Sequence, residues 1–199
     1  MRPKTLPLFS AFTAAMVSIA TLTTSVAQAC TRFVYLGENN QVMTARSMDW
    51  KTDVGTNIWV FPRGMDRSGE AGPNSIKWTS KYGSVIASGY DISTTDGVNE
   101  AGLAANVLWL VESSYPDYDG KSPGLSIAAW AQYVLDNFAT VEEAVRALEK
   151  NPFTIVTDNV PGEERLATLH LSLSDGSATV RSLNISMASR SSITAASIR

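Results

Sequence analysis

Residues 30–50 read CTRFVYLGENNQVMTARSMDW, and this stretch decides the fold. Thr31–Leu36 and Gln41–Arg46 are short runs of strand-forming residues. Between them lies Gly37-Glu38-Asn39-Asn40, a tetrapeptide of turn residues. The pattern predicts a β-hairpin. Its two ends are cross-strand neighbours, so Arg46 is expected beside Cys30. Read without that context, Arg46-x-x-Asp49 is an ordinary surface ion pair of little energetic weight.

Cys30 is the only cysteine in the chain, and it directly follows Ala27-Gln28-Ala29. Residues 1–29 carry the three parts of a secretory leader. Arg2 and Lys4 form a basic start, Leu6–Thr24 an apolar and threonine-rich middle, and Ala27-x-Ala29 a small-residue cleavage site. The hydroxyl residues interrupting the middle segment argue against a permanent membrane span. Export to the periplasm or the medium is therefore expected, with Cys30 as the first mature residue. An uncleaved anchor is one alternative. A lipoprotein, with Cys30 acylated, is another, but Ala27 and Gln28 fit a lipoprotein signal poorly.

A lone thiol in an oxidising compartment is either reactive or paired between chains. The usual reading of such a residue is a small buried hydrophobe, which suits a chain terminus badly. At a mature N-terminus the thiol would sit on the same residue as an α-amine. An unperturbed cysteine titrates near about pH 8.5 and an α-amine near about 7.7–8.0, so the amine is a suitable base. A nearby cation would favour thiolate and a carboxylate would orient the amine. Arg46 and Asp49 supply one of each. His170 lies in an alternating segment, where a half-buried structural role is the expectation.

Composition excludes several classes. The chain has 16 Lys+Arg against 19 Asp+Glu, a formal net charge of −3, and loss of Arg2 and Lys4 with the leader makes it more acidic. No basic cluster suggests nucleic acid, no basic amphipathic helix suggests a membrane surface, and no Walker-type glycine loop appears. One His and one Cys cannot build an ordinary zinc site. No cofactor or metal is expected.

The remaining segments read as strands, then helices, then strands. Thr56–Phe61 is strand-like and stops at Pro62; residues 63–75 are loop. Lys77–Ser80 and Ser84–Gly89 are expected to be a pair of strands. Asp96-Gly97 marks a turn, and Leu103–Leu110 is a buried strand. Leu125–Phe138 is helical after Ser122-Pro123, and a second helix starts at Thr140 with capping-box spacing to Glu143. Residues 152–165 are a polar connection. Ala167–Ser174 is a half-buried strand, and Asp175-Gly176 turns into Ser177–Arg181. This order indicates an α+β layered domain. Ser182–Arg199 carries six serines and no acidic residue, so no regular structure is expected there.

Cys30-Thr31-Arg32-Phe33, Ala45-Arg46-Ser47-Met48-Asp49-Trp50, Asp96-Gly97-Val98-Asn99-Glu100-Ala101-Gly102-Leu103 and the helical stretch Pro123–Glu149 together resemble the choloylglycine hydrolase / penicillin V acylase family, in its exported Gram-negative branch. The resemblance covers roughly residues 30–180. It implies an N-terminal-nucleophile hydrolase, an αββα sandwich of antiparallel sheets that cleaves linear, non-peptide amides. Conjugated bile salts, penicillin V and N-acyl homoserine lactones are the substrate types. It further implies Cys30 as nucleophile, Arg46 against its sulfur, Asp49 on its amine and Met48 in the substrate pocket. Trp109 matches a position where other branches place an oxyanion-hole Asn or Tyr; a core aromatic is the alternative. Trp50 is a candidate wall for an apolar acyl group. Relatives commonly form homo-oligomers.

The family continues with a second catalytic Asn in a T-N-S-P-like stretch and a further Arg, and neither is found here. The expected organisation is therefore a leader (1–29), the N-terminal part of a hydrolase domain (30–181), incomplete at its C-terminus, and a divergent tail (182–199). The competing reading is a lipid-anchored or non-catalytic exported binding protein that keeps part of the fold.

Overall fold

The computed structural model describes residues 30–186 and 192–197. The leader expected over 1–29 lies outside them. β1 (Thr31–Leu36) and β2 (Val42–Ser47) form the expected hairpin, with Thr31 opposite Ser47 and Arg32 opposite Arg46. β2 runs one residue later than the sequence suggested. Asn39 supplies the left-handed turn conformation, at φ 58°.

The chain continues through β3 (Ile58–Phe61), β4 (Asp66–Ser68), β5 (Lys77–Thr79), β6 (Ser84–Gly89), β7 (Ser93–Asn99), β8 (Ala104–Trp109) and β9 (Gly124–Ser126). Then come α1 (Trp130–Asn137), α2 (Val141–Leu148), β10 (Thr154–Val156), β11 (Leu169–Ser174), β12 (Val180–Ser186) and β13 (Ser192–Ser197). Seven strands make one antiparallel sheet in the order β13-β12-β11-β8-β7-β6-β3.

Several expectations change. Residues 63–75 are not all loop: β4 pairs with β5, while β6 pairs with β3 and β7, so Lys77–Ser80 and Ser84–Gly89 are not partners. Asp96-Gly97 is not a turn but the middle of β7. A Cβ on Gly97 would stand 2.7 Å from both Ile86 Cγ2 and Leu135 Cδ1. The glycine is there to let α1 press onto the sheet, not to reverse the chain. The reversal comes at Asn99–Gly102, where Asn99 Oδ1 accepts the N–H groups of Ala101 and Leu103 and Gly102 has φ +88°. The helix expected from Leu125 begins at Trp130 instead, because Gly124–Ser126 pairs in parallel with β10. Ser182–Arg199, expected to lack regular structure, gives the end of β12 and the edge strand β13.

Thr140 does cap α2, its Oγ1 accepting the Glu143 N–H at 3.2 Å. On β8 and β11, Ala105, Val107, Leu171 and Leu173 face the helices and join Trp130, Val134, Leu135 and Leu148 in the core. Side chains alternate across a strand, so Asn106, Asp96 and Ser174 face the other way and meet the β1–β2 hairpin. The described residues thus stack as helices, large sheet and hairpin. The hairpin's outer side chains Phe33, Tyr35 and Met43 are exposed. No described helix is long and apolar enough to cross a membrane.

Candidate active site

Polar side chains fix the hairpin to the sheet. Arg32 Nε donates to Asn106 Oδ1 at 2.7 Å, and its terminal nitrogen donates to Ser174 Oγ at 2.7 Å. Thr44 Oγ1 meets the same Ser174 hydroxyl at 2.6 Å. Asn106 Nδ2 donates to Asp96 Oδ1 at 2.8 Å. Burial pushes the Arg32 guanidinium down to about 10, with Asp96 raising it and Arg46 lowering it further. It remains charged at neutral pH.

Arg46 is drawn in by two partners. Its Nε lies 2.7 Å from Asp96 Oδ1, and a terminal nitrogen donates to the Val107 carbonyl. The Nε–H does not point along the line to the carboxylate, so the first contact is an ion pair and not a hydrogen bond. The side chain is only 9% exposed, yet Nη1 is buried without a hydrogen-bond partner. An orphaned buried donor costs about 1–3 kcal/mol. Arg46 is also one of the residues that line a cavity.

That cavity, of about 220 Å³, is lined by Cys30, Arg46, Met48, Trp50 and Trp109. Five of the six residues singled out from the sequence therefore converge. The sixth, Asp49, is exposed and does not line the cavity. It accepts a hydrogen bond from Ser47 Oγ at 3.2 Å, and that hydroxyl accepts the Thr31 N–H at 3.3 Å. Asp49 is thereby held beside the start of β1 without a direct contact to Cys30 among the described bonds.

The walls are largely apolar, with Val54, Ile92, Val107, Ile127 and Leu169 contributing. Trp50 and Trp109 form the aromatic side, their ring centroids 5.0 Å apart. Trp50 Nε1 donates to Tyr90 Oη at 3.0 Å. No described residue accepts the Trp109 N–H. His170 lies outside the cavity lining, in β11 opposite Leu108. Its burial, and then the charge of Arg32, hold its pKa below the usual imidazole value.

Sequence reasoning missed Asp96, Asn106 and the loop bearing Glu163 and Arg165. Asp96 was readable in principle, because β7 has to pair with β8 and carry a counter-ion to the two hairpin arginines. The loop residues were not, since a polar connection reads the same whether or not it touches a site.

Comparison with known proteins agrees with this geometry. A family model for linear amide C–N hydrolases of the choloylglycine hydrolase family matches residues 30–188, about eight residues beyond the point where the resemblance was expected to end. Over 166 residues the chain is 63% identical to a penicillin V acylase of Pectobacterium atrosepticum, covering 79% of this chain and 44% of that protein. A solved penicillin V acylase from Agrobacterium tumefaciens superposes with a TM-score of 0.74 at 79% identity, over 82% of this chain and 49% of the other. A conjugated bile acid hydrolase from Clostridium perfringens superposes with a TM-score of 0.68 at 24% identity, over 86% and 51%, a likeness of fold. The chain thus spans about half the length of the relatives it matches. With that fold and that match, the chain belongs to the choloylglycine hydrolase family of linear amide C–N hydrolases.

Proposed function

We propose that this site cleaves the amide of a penicillin V-type substrate, a flat aromatic acyl group on a non-peptide amine, with Cys30 as nucleophile. The supporting observation is the convergence of Cys30, Arg46, Met48, Trp50 and Trp109 on one largely apolar cavity. Export and removal of residues 1–29 make Cys30 the first residue. Its α-amine takes the Sγ proton, and the thiolate faces the cationic Arg46. Sulfur attacks the acyl carbon, and Trp109 Nε1–H donates to the developing oxyanion. The C–N bond breaks as the α-ammonium returns the proton to the leaving nitrogen. The amine then deprotonates a water, which opens the thioester and releases the acid. Asp49 orients the amine from its place on Ser47. Met48 and Trp50 hold the acyl group.

Intact-mass analysis of the exported protein tests the first step. A chain starting at unmodified Cys30 supports the mechanism. A diacylglyceryl adduct there removes the base and favours the lipid-anchored binding protein. Cys30→Ser is expected to abolish both hydrolysis of penicillin V and the thioester adduct seen by mass spectrometry. Activity surviving that change sinks the nucleophile assignment.

A further inference from the structure

The loop between β10 and β11 closes one wall of the cavity and is tied down at three levels. At its base Thr157 Oγ1 donates to the Ala167 carbonyl at 2.6 Å, and the Ala167 N–H donates to Asp158 O at 2.9 Å. Further out the Val160 N–H donates to Arg165 O at 2.8 Å, and the Glu163 N–H donates to Val160 O at 2.9 Å. At its tip Glu163 Oε2 lies 3.0 Å from Lys51 Nζ and 3.2 Å from an Arg165 terminal nitrogen. Lys51 follows Trp50 in sequence. Arg165 Cζ stands 4.4 Å from the Trp109 ring centroid and 5.2 Å from that of Trp50. One cation therefore covers both indoles, and one carboxylate binds that cation to the residue beside Trp50.

A lone exposed Arg–Glu pair would carry little energy. This one differs in two respects. The Glu163 side chain is only 17% exposed and serves two cations, so its charge is less screened than on an open surface. Arg165 also rests on two tryptophans, the ring type that holds a cation best. Trp50 gains a second anchor through Tyr90, so its plane is fixed from two sides.

Resting on the proposed reading of this cavity, we infer that Arg165 is a positioning residue for acyl-group selection. It sets the pitch of Trp50 and Trp109, and Glu163 and Lys51 hold it in place. A fixed pair of indole planes suits a rigid flat acyl group, which loses little freedom on entry. A flexible alkyl chain can adapt to a looser wall and gains less from it.

The test needs binding, not turnover. Tryptophan fluorescence of the full chain is titrated with phenoxyacetate and, separately, octanoate. Arg165→Gln is expected to raise the phenoxyacetate Kd about fivefold, the equivalent of ~1 kcal/mol for the lost cation–π contact. Octanoate affinity should change less than about twofold on the same scale. Arg165→Lys should fall between, because it keeps the charge. Glu163→Gln should act in the same direction and flatten the salt dependence of phenoxyacetate binding. Arg146→Gln, which breaks an exposed pair with Glu142 on α2, is the control and should change neither acid. Equal weakening of both acids in Arg165→Gln would mean that Arg165 binds the ligand carboxylate, and overturns the inference, as does no change. Failure of the wild-type chain to bind either acid overturns the functional reading and the inference with it.

Discussion

Arg46 and Asp96 meet at 2.7 Å across the gap between the hairpin and the large sheet. The pair has two jobs that can be separated. It joins two layers of the fold, and it holds a guanidinium with a buried nitrogen that lacks a hydrogen-bond partner, on a residue that lines the cavity. Asp96→Asn leaves Arg46 in the interior without its counter-ion and is expected to cost on the order of 2–3 kcal/mol, somewhat below a fully buried pair because Asp96 is 21% exposed. The double change Arg46→Met with Asp96→Leu should recover much of that stability, read as the urea midpoint, while hydrolysis stays lost. Recovery of hydrolysis in the double variant would show that Arg46 only holds the layers together.

His170, the chain's single histidine, gives a pH-dependent stability term of defined sign. Burial first, then the nearby Arg32 charge, lower its folded pKa. The folded chain therefore binds this proton more weakly than the unfolded chain, whose imidazole titrates near about 6.5. Its contribution to stability is fully present above that value and is lost as the pH falls through it toward the lowered folded pKa. His170→Gln is expected to flatten this part of the profile. Urea midpoints between about pH 5.5 and 7.5, the range around the free imidazole value, check it, and an unchanged slope in the variant refutes the assignment.

Gly97 offers a purely steric test. An added Cβ would meet Ile86 Cγ2 and Leu135 Cδ1 at 2.7 Å and the Val85 carbonyl at 3.0 Å. The backbone oxygen cannot yield as a flexible side chain can, so Gly97→Ala should destabilise by about 1–3 kcal/mol, as overpacking does. Pairing it with Leu135→Ala should give less than the sum of the two single effects, since one change makes the room the other needs.

These residues also show where sequence reading succeeds and stops. The β1–β2 hairpin was legible because its turn residues and strand propensities agree; its register sets Arg46 opposite Arg32, and Arg46 and Cys30 line one cavity. Asp96-Gly97 was misread because the same dipeptide serves turns and close helix–sheet contacts, and only α1 lying against it decides between them. β4 is three polar residues, so no period could reveal it, and β5, read as a strand, was given the wrong partner because β4 was missing. The start of α1 was misplaced because Ser122-Pro123 has the chemistry of a helix start, whereas Gly124 gives its carbonyl to the Ile76 N–H and its own N–H to Asn74 O. Cys30 and Trp50 could be nominated from local sequence, and Met48 from the family resemblance. The Arg165 contact with two tryptophans could not, because it joins three segments distant in the chain.

Trp109 offers the sharpest functional test. Its ring faces are engaged by Trp50 and Arg165, while its N–H has no acceptor among the described residues. Trp109→Phe keeps an aromatic ring against both neighbours, removes that donor and trims the wall by one ring. If the N–H meets the oxyanion, kcat for penicillin V should fall by roughly a hundredfold, on top of any rise in KM from the smaller wall, the pattern for an interaction made in the transition state. Trp50→Phe is the contrast, because the Trp50 N–H is already given to Tyr90. It should raise KM and leave kcat nearly intact. A rise in KM alone for Trp109→Phe would reduce Trp109 to a wall of the pocket, and the oxyanion donor would have to be sought elsewhere.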